Sequence, residues 1–163
     1  MRLAILIPAF NEEKTIGQVI KSISRQFPKI SALEIVVISD GSTDLTVQIA
    51  IKAGVTIIEH DLNRGLGGAL GTGFEYARKN NFDCLLTFDA DGQHNPEDIW
   101  PVLRPIVYKK ADIVIGSRLK NPQGMPWYRI IGILGLNIIT LIFFWIWTTD
   151  SQSGLRAFSR KAI

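Results

Sequence analysis

Short apolar runs recur along the chain at residues 3–7, 34–38, 55–58, 84–88 and 112–116, and most of the intervals between them suit a helix. The runs are nearly continuous in valine, isoleucine and leucine, which is typical of strands buried on both faces. Such strands occur in parallel sheets that are covered by helices. The alternation therefore predicts an α/β fold with a mostly parallel sheet. Ligands in such folds bind beyond the carboxyl ends of the strands.

Chain length and composition exclude several classes of protein. A chain of 163 residues suits one domain, and we expect residues 1–163 to form a single unit. The net charge of +3 is small and no lysine or arginine run resembles a nucleic-acid arm, so we expect no nucleic-acid partner. Cys84 is the single cysteine, which excludes an internal disulfide and favours the cytosolic side of the membrane.

The run at 84–88 stops at two carboxylates, Asp89 and Asp91. In an extended backbone both would project from the same side, with Gln93 one step further. Their oxygens suit a hard divalent cation, Mg²⁺ or Mn²⁺, which substrate phosphate oxygens would complete. The alternative is a plain turn, because aspartate and glycine are the commonest turn residues. A lone histidine beside a turn, such as His94, is more typical of a hydrogen-bonded neighbour than of a ligand.

Two further strand ends carry candidate site residues. After the first run, Asn11 suits a helix N-cap and the two glutamates that follow suit the first turn of a helix. Phe10 places an aromatic ring at the mouth of the sheet, where it could line a ligand cleft. Asp40 ends the second run and can accept a hydrogen bond from a ribose or a base, while residues 42–44 suit capping of the next helix.

The glycine-rich stretch at 63–73 lacks the Gly-Lys-Ser/Thr ending of a phosphate loop, and its spacing also fails the dinucleotide-binding pattern. We reject both motifs. Glycines before a helix still permit close backbone approach, so a helix start that faces a ligand remains open.

Taken in order, these segments resemble the family 2 glycosyltransferases, most closely the polyprenyl-phosphate branch typified by dolichyl-phosphate mannose synthase. The motifs that carry the resemblance are PAFNEE at 8–13, DGSTD at 40–44, NRGLGGA at 63–69, DADGQH at 89–94, GSR at 116–118 and DSQSGLR at 150–156. Each motif is weak alone, but their order and spacing are specific and span nearly the whole chain.

The resemblance implies a GT-A fold with a donor site at the strand ends. The residues it assigns to the nucleotide pocket are Pro8, Phe10, Glu12 and Asp40. The residues it places around the metal and the donor diphosphate are Asp89, Asp91 and Gln93, with Asp91 also in a catalytic role. The family often has Asp-Asp-Gly-Ser where this chain has Ser39 first, which bears on base contacts.

The resemblance also implies an acceptor side. Arg118 and Arg129 would meet the acceptor phosphate, and Arg156 would lie near the diphosphate or the acceptor. Asp150 would be needed as a base only if the acceptor were a sugar hydroxyl. Because the chain ends at Ile163, soon after its last motif, we expect a truncated product.

The activity that the resemblance implies is metal-dependent, inverting transfer of a hexose, mannose or glucose, from a GDP- or UDP-linked donor. The acceptor would be a polyprenyl or dolichyl phosphate at the cytoplasmic face of the membrane. A sugar nucleotidyltransferase is a second interpretation, but it requires a basic, glycine-rich loop where this chain has Pro-Ala-Phe-Asn at 8–11. A third is a membrane-bound module that binds nucleotide sugars without turnover.

The apolar residues 130–147 are close in length to the roughly 20 that span a bilayer as a helix. A single crossing would separate Asp150 from Asp89, which the resemblance places in one active site. We therefore predict an interfacial helix at about 128–148 that lies along the cytoplasmic leaflet. A buried core helix is the alternative.

Overall fold

The computed structural model describes residues 1–117, residue 135 and residues 153–163. The chain divides into two compact units, one of Met1–Val114 with Leu155–Ile163 and the other of Ile115–Gly154. The helices, strands and site residues described below belong to the first unit, apart from Ile115. A single domain over residues 1–163 stays a prediction.

The predicted alternation of strands and helices is confirmed. The strands are β1 (Arg2–Ala9), β2 (Ala32–Asp40), β3 (Thr56–His60), β4 (Cys84–Thr87), β5 (Ile113–Ile115) and β6 (Arg156–Ser159). The helices are α1 (Ile16–Ser22), α2 (Thr46–Lys52), α3 (Gly65–Lys79) and α4 (Ile99–Val107), with 3₁₀ turns at Pro96–Asp98 and Arg160–Ala162.

The strands form one sheet in the order β3-β2-β1-β4-β6-β5. Strand β1 runs parallel to both β2 and β4, and β2 runs parallel to β3. Strand β6 pairs antiparallel with β4, so that Arg156 lies opposite Thr87. The predicted class, a mostly parallel α/β sheet, is confirmed, and β6 adds an antiparallel strand that the apolar runs did not predict.

Strand β1 lies at the centre of the sheet and is buried on both faces. Leu3, Ile5 and Ile7 pack into the core that contains α1, α2 and α4, and none of them is exposed to solvent. Ala4 and Leu6 pack on the other face with residues of α3. Full burial of a large apolar side chain contributes roughly 1.5–3 kcal/mol, so this strand anchors the sheet.

Helix α3 lies very close to the sheet at Gly73. A Cβ atom at this position would lie 2.5 Å from Leu6 Cδ1 and 3.2 Å from Ile38 Cδ1. A side chain at this position would have to displace these two methyl groups, so glycine permits the close approach. The contact also brings the neighbouring Thr72 against the carboxyl end of the sheet, where it meets His60.

Two prolines, Pro101 and Pro105, predict a kink or a break in the helix that follows His94. The structure has an undivided α4, preceded by the 3₁₀ turn. Pro101 falls in the first turn of α4, where a backbone N–H has no partner within the helix. Pro105 removes one hydrogen bond from the interior of α4, and the apolar packing of the helix offsets that loss.

We expect Cys84 to resist alkylation in the folded protein. The residue is fully buried in β4, and burial, with a smaller contribution from Asp83, raises the pKa of the thiol from 9.0 to about 12. Three pKa units reduce the thiolate fraction by about a thousandfold at pH 8. Iodoacetamide labelling followed by mass spectrometry should detect modification in urea only. Equal labelling rates with and without urea would contradict this prediction.

Among the described residues, no helix combines the length and apolarity needed to cross a membrane. The predicted interfacial helix at 128–148 lies outside the described residues, except for residue 135.

Candidate active site

The carboxyl ends of four parallel strands meet at one edge of the sheet. Phe10 directly follows β1, Asp40 and His60 are the last residues of β2 and β3, and Asp89 lies two residues beyond β4. This edge is where ligands bind in open α/β sheets. The structure therefore brings residues of the predicted nucleotide and metal sites to the same edge.

The loop after β1 is bound to the loop after β2. Asn11 Oδ1 accepts the Thr43 N–H at 2.8 Å, and Ser42 Oγ accepts the Asn11 N–H at 3.1 Å. Asn11 has a φ angle of +55°, and α1 begins later, at Ile16. The prediction that Asn11 caps this helix is therefore wrong, because its side chain connects the two loops instead.

The same two loops are joined again at the next residues. The Glu12 N–H donates to Thr46 Oγ1 at 2.8 Å, and the Glu13 N–H donates to Asp44 Oδ2 at 3.1 Å. In the opposite direction, the Leu45 N–H donates a hydrogen bond to Glu13 Oε2 at 3.1 Å. Burial would raise the pKa of Asp44, but hydrogen bonds from Thr46 and Glu13 outweigh it and lower the pKa. We call this set of contacts between residues 11–13 and residues 42–46 the loop clamp.

Of the residues predicted for the nucleotide pocket, Glu12 belongs to the loop clamp, and Pro8, Phe10 and Asp40 lie at the strand ends that lead into it. Pro8 pairs with Ile38 inside the sheet. Phe10 is 48% exposed, so its ring is accessible for stacking on a ligand. Glu12 Oε2 accepts the Thr15 hydroxyl at 2.8 Å. Their contact with a nucleotide stays a prediction.

Asp40 is the buried charge of the site. It is 4% exposed, and its Oδ1 atom lies 2.7 Å from His60 Nδ1 and 2.9 Å from the Arg64 N–H. Burial acts to raise the pKa of this carboxyl, but the hydrogen bonds from Arg64 and His60 outweigh it, so the net pKa is lowered. Asp40 is therefore a carboxylate at neutral pH.

Asp89 and Asp91 both lie beyond the end of β4 at Thr87, and Asp91 is part of a turn. The argument from strand alternation, which placed both side chains on one side, does not apply there. Asp91 Oδ1 accepts the Gln93 N–H at 2.9 Å, and both Asp91 and Gln93 are exposed. The turn itself matches the alternative interpretation of this segment, and a metal site built on it stays a prediction.

His94 supports Asp89. Its Nε2 atom lies 2.9 Å from Asp89 Oδ2, and its ring centroid lies 5.8 Å from that of Phe88. The His94 side chain is 6% exposed, whereas that of Asp89 is 31% exposed. His94 is thus a hydrogen-bonded neighbour, and it orients a carboxylate that is accessible from solvent.

The structure describes only one residue of the predicted acceptor side, whose role stays a prediction. Arg156 begins β6, and its pairing with Thr87 puts it beside the strand end that leads to Asp89. Arg118, Arg129 and Asp150 lie outside the described residues.

Sequence reasoning missed His60 and Thr72. His60 Nε2 lies 2.9 Å from Thr72 Oγ1, while its other ring nitrogen contacts Asp40. The available signal was positional, because His60 ends the third strand just as Asp40 ends the second, and the two are direct neighbours across β2 and β3. No motif or periodicity marks Thr72, which lies within α3.

Residues 4–163 match the family described as Glycosyl transferase family 2. The chain belongs to this family. A relative in Methanocaldococcus jannaschii, named only as an uncharacterized protein, is 48% identical over 97% of this family 2 chain and 65% of its own length. The UDP-N-acetylglucosamine–dolichyl-phosphate N-acetylglucosaminyltransferase of Methanococcus voltae is 38% identical over 98% of the chain and 70% of its own length.

Solved structures of the same fold include glucosyl-3-phosphoglycerate synthase from Mycobacterium tuberculosis, in complex with Mn²⁺, UDP and glucosyl-3-phosphoglycerate. The TM-score is 0.70 at 23% identity, over 98% of this family 2 chain and 57% of that protein. This likeness confirms the predicted GT-A fold. The chain spans about two thirds of the lengths of the two relatives and a smaller share of the solved protein.

Proposed function

We propose that this protein transfers a sugar from a nucleoside diphosphate sugar to a polyprenyl or dolichyl phosphate. One observation carries the proposal. The buried carboxylate Asp40 and the accessible carboxylates Asp89 and Asp91 lie at the same edge of the sheet, in a chain that belongs to family 2. The name of the Methanococcus voltae relative supports a dolichyl phosphate acceptor and a UDP-linked donor.

The donor nucleotide would occupy the edge between the loop clamp and Asp40. In this proposal the exposed ring of Phe10 stacks on the base, and Pro8 and Glu12 line the pocket. Asp40, held as an anion, accepts a hydrogen bond from the base or the ribose. Because the clamp holds both loops through backbone and side-chain bonds, the pocket is ordered before the donor arrives.

A divalent cation would fit beside Asp89 and Asp91. Carboxylate and amide oxygens are the ligands that Mg²⁺ and Mn²⁺ prefer, and Gln93 adds an amide to the two carboxylates. Among the described residues no cluster of three acidic, histidine or cysteine side chains forms a complete metal cage. An ion held by one or two carboxylates is the arrangement in which substrate phosphates supply further ligands. When bound, such an ion stabilises the charge on the departing diphosphate.

The protein groups would then position the two substrates. A phosphate oxygen of the acceptor forms the new bond to the anomeric carbon, the bond from that carbon to the nucleoside diphosphate breaks, and the configuration inverts. The acceptor needs no strong base, because the second pKa of a phosphate monoester is about 6. Arg118, Arg129 and Arg156 are proposed to bind phosphate oxygens through their guanidinium groups. Asp150 is then not required as a base.

The acceptor chemistry places the proposed reaction at a membrane surface. A polyprenyl or dolichyl chain stays in the bilayer, so the enzyme must reach a phosphate at the lipid–water boundary. The predicted helix at about 128–148 would serve this purpose by lying along the cytoplasmic leaflet.

The test is a donor screen on the purified protein. UDP-N-acetylglucosamine, UDP-glucose and GDP-mannose are each incubated with a short-chain polyprenyl phosphate and Mg²⁺, with and without EDTA. We expect one donor to give a glycolipid, and we expect EDTA to abolish transfer and excess Mg²⁺ or Mn²⁺ to restore it. Nucleotide binding without turnover of any donor would instead indicate a binding module. Release of inorganic pyrophosphate from a nucleoside triphosphate and a sugar phosphate would indicate a nucleotidyltransferase.

A further inference from the structure

We propose that His60 and Thr72 form a positioning pair that holds the Asp40 carboxylate in its nucleotide-binding orientation. The inference rests on the proposed function, because it takes Asp40 as the residue that contacts the nucleotide. Neither residue belongs to the motifs that carry the family resemblance, and neither is proposed to touch the substrate. We call the three residues Asp40, His60 and Thr72 the carboxylate support.

The carboxylate support is a continuous chain of short contacts across three elements. Asp40 at the end of β2 lies 2.7 Å from His60 Nδ1 at the end of β3, and His60 Nε2 lies 2.9 Å from Thr72 Oγ1 in α3. Asp40 and His60 are 4% and 7% exposed, so water does not compete strongly for these bonds. Both nitrogens of the imidazole are engaged, which fixes the plane of the ring.

The direction of the hydrogen bond to Asp40 follows from its ionisation. An ionised carboxylate only accepts, so His60 Nδ1 must carry a hydrogen and donate it to Oδ1. Oδ1 also accepts the Arg64 N–H at 2.9 Å. Two donors from different elements therefore hold Oδ1, and the Gly65 backbone also hydrogen-bonds the carboxylate. Together these bonds restrict rotation of the carboxylate about its Cβ–Cγ bond, so its orientation is set before a ligand arrives.

A purely structural role for the same bonds predicts a different result. In that case the carboxylate support would only hold α3 and the 61–64 loop on the sheet, and its loss would lower thermal stability without a specific loss of nucleotide affinity. The two roles separate when stability and affinity are measured on the same variants.

Thr72→Val is the most conservative test, because valine keeps the branched shape and removes the hydroxyl that contacts His60. We expect Thr72→Val to weaken binding of UDP or GDP, measured by calorimetry with Mg²⁺, by about fivefold, since a hydrogen bond is worth roughly 1 kcal/mol. Thr72→Ser retains the hydroxyl and should restore affinity to within about twofold of the unchanged protein.

Two substitutions of His60 separate its two contacts. In His60→Asn the side-chain amide falls near the position of Nδ1 and keeps a donor to Asp40, whereas in His60→Gln the amide reaches towards Thr72. We expect the glutamine variant to lose about tenfold in nucleotide affinity and the asparagine variant to lose less. Equal losses in the two variants would argue against orientation through Asp40.

Thr56→Val is the matched control. Thr56, like Thr72, is a threonine whose hydroxyl contacts another side chain, because it donates to Glu34 Oε1 at 2.7 Å. Thr56 begins β3, whereas His60 ends it, so this bond lies at the opposite end of the strand from the carboxylate support. This variant should lose stability to a similar extent as Thr72→Val and keep nucleotide affinity within about twofold.

The outcomes distinguish the inference from the proposed function. If the unchanged protein binds UDP or GDP and Thr72→Val binds equally well, the positioning role is wrong and the proposed function stands. If Thr72→Val and Thr56→Val lose affinity equally, the effect is general destabilisation and the positioning role is again wrong. If the unchanged protein binds neither nucleotide, the proposed function fails and the inference fails with it.

Discussion

Replacing Asp91 with asparagine is expected to reduce sugar transfer by at least about a hundredfold and to leave the fold intact. Asp91 is exposed, and its one described hydrogen bond is the Gln93 N–H that Oδ1 accepts. The asparagine carbonyl oxygen can accept the same bond, so the turn should persist. The substitution removes the negative charge proposed to hold a divalent cation. Initial rates at saturating Mg²⁺, with the melting temperature of each protein, measure the two effects separately.

Asp98→Asn is the matched control for Asp91→Asn. Asp98 is an exposed aspartate in the 3₁₀ turn before α4, and its side chain makes no capping hydrogen bond. The same loss of charge there should leave transfer within about twofold, because Asp98 is outside the proposed cation site. Near-normal turnover by Asp91→Asn with Mg²⁺ present would show that this carboxylate does not hold the cation.

Replacing Gly41 with alanine is expected to destabilise the protein by about 2–4 kcal/mol and to weaken nucleotide binding. Gly41 has a φ angle of +74°, and a Cβ atom there would lie 2.7 Å from the Asn63 backbone nitrogen and 3.0 Å from the Leu62 carbonyl carbon. Backbone atoms cannot rotate away as a side chain would. The 61–64 loop must therefore shift, and the Arg64 N–H that binds Asp40 moves with it.

Gly54→Ala isolates the cost of the backbone conformation. Gly54 follows α2 with a φ angle of +71°, and a Cβ atom there would meet nothing within 4 Å. We expect this variant to lose only about 1 kcal/mol and to bind nucleotide normally. Urea denaturation measures the free energy of unfolding of both variants. The difference between the two values is the part of the loss that is due to the contact with residues 62 and 63. Equal destabilisation of the two variants would contradict a steric role for Gly41.

The parallel strands could be predicted because their sequences carry the signature of burial on two faces. Leu3, Ala4, Ile5, Leu6 and Ile7 are all unexposed, and alternate members belong to different cores. Strand β6 could not be found in this way, because Arg-Ala-Phe-Ser has neither the apolar run of a buried strand nor a clear alternation. The order of the strands in the sheet could not be predicted from the sequence either, since no local pattern encodes which strands pair.

Within the candidate site, the sequence was informative about chemistry and poor about geometry. Asp40, Asp89 and Asp91 could be selected because each lies at the end of a strand or just beyond it. The role of Asn11 was misjudged because an asparagine before a helix suits a cap and also suits a left-handed loop position, and only the position of Thr43 decides between them. His60 was missed because the residues it contacts are 20 positions upstream and 12 positions downstream, and no sequence period joins them.

The position of β6 has a consequence for the order in which the protein can assemble during synthesis. This strand pairs with β4 and stands between β4 and β5, yet it is made after both of them. Until residues 156–159 leave the ribosome, β4 presents an open edge, and exposed strand edges are sites of wrong pairing. The four parallel strands and the loop clamp can form earlier, from residues 1–87. A nascent chain should therefore acquire the nucleotide side of its site first, and close the edge beside Asp89 only after residues 156–159 have emerged.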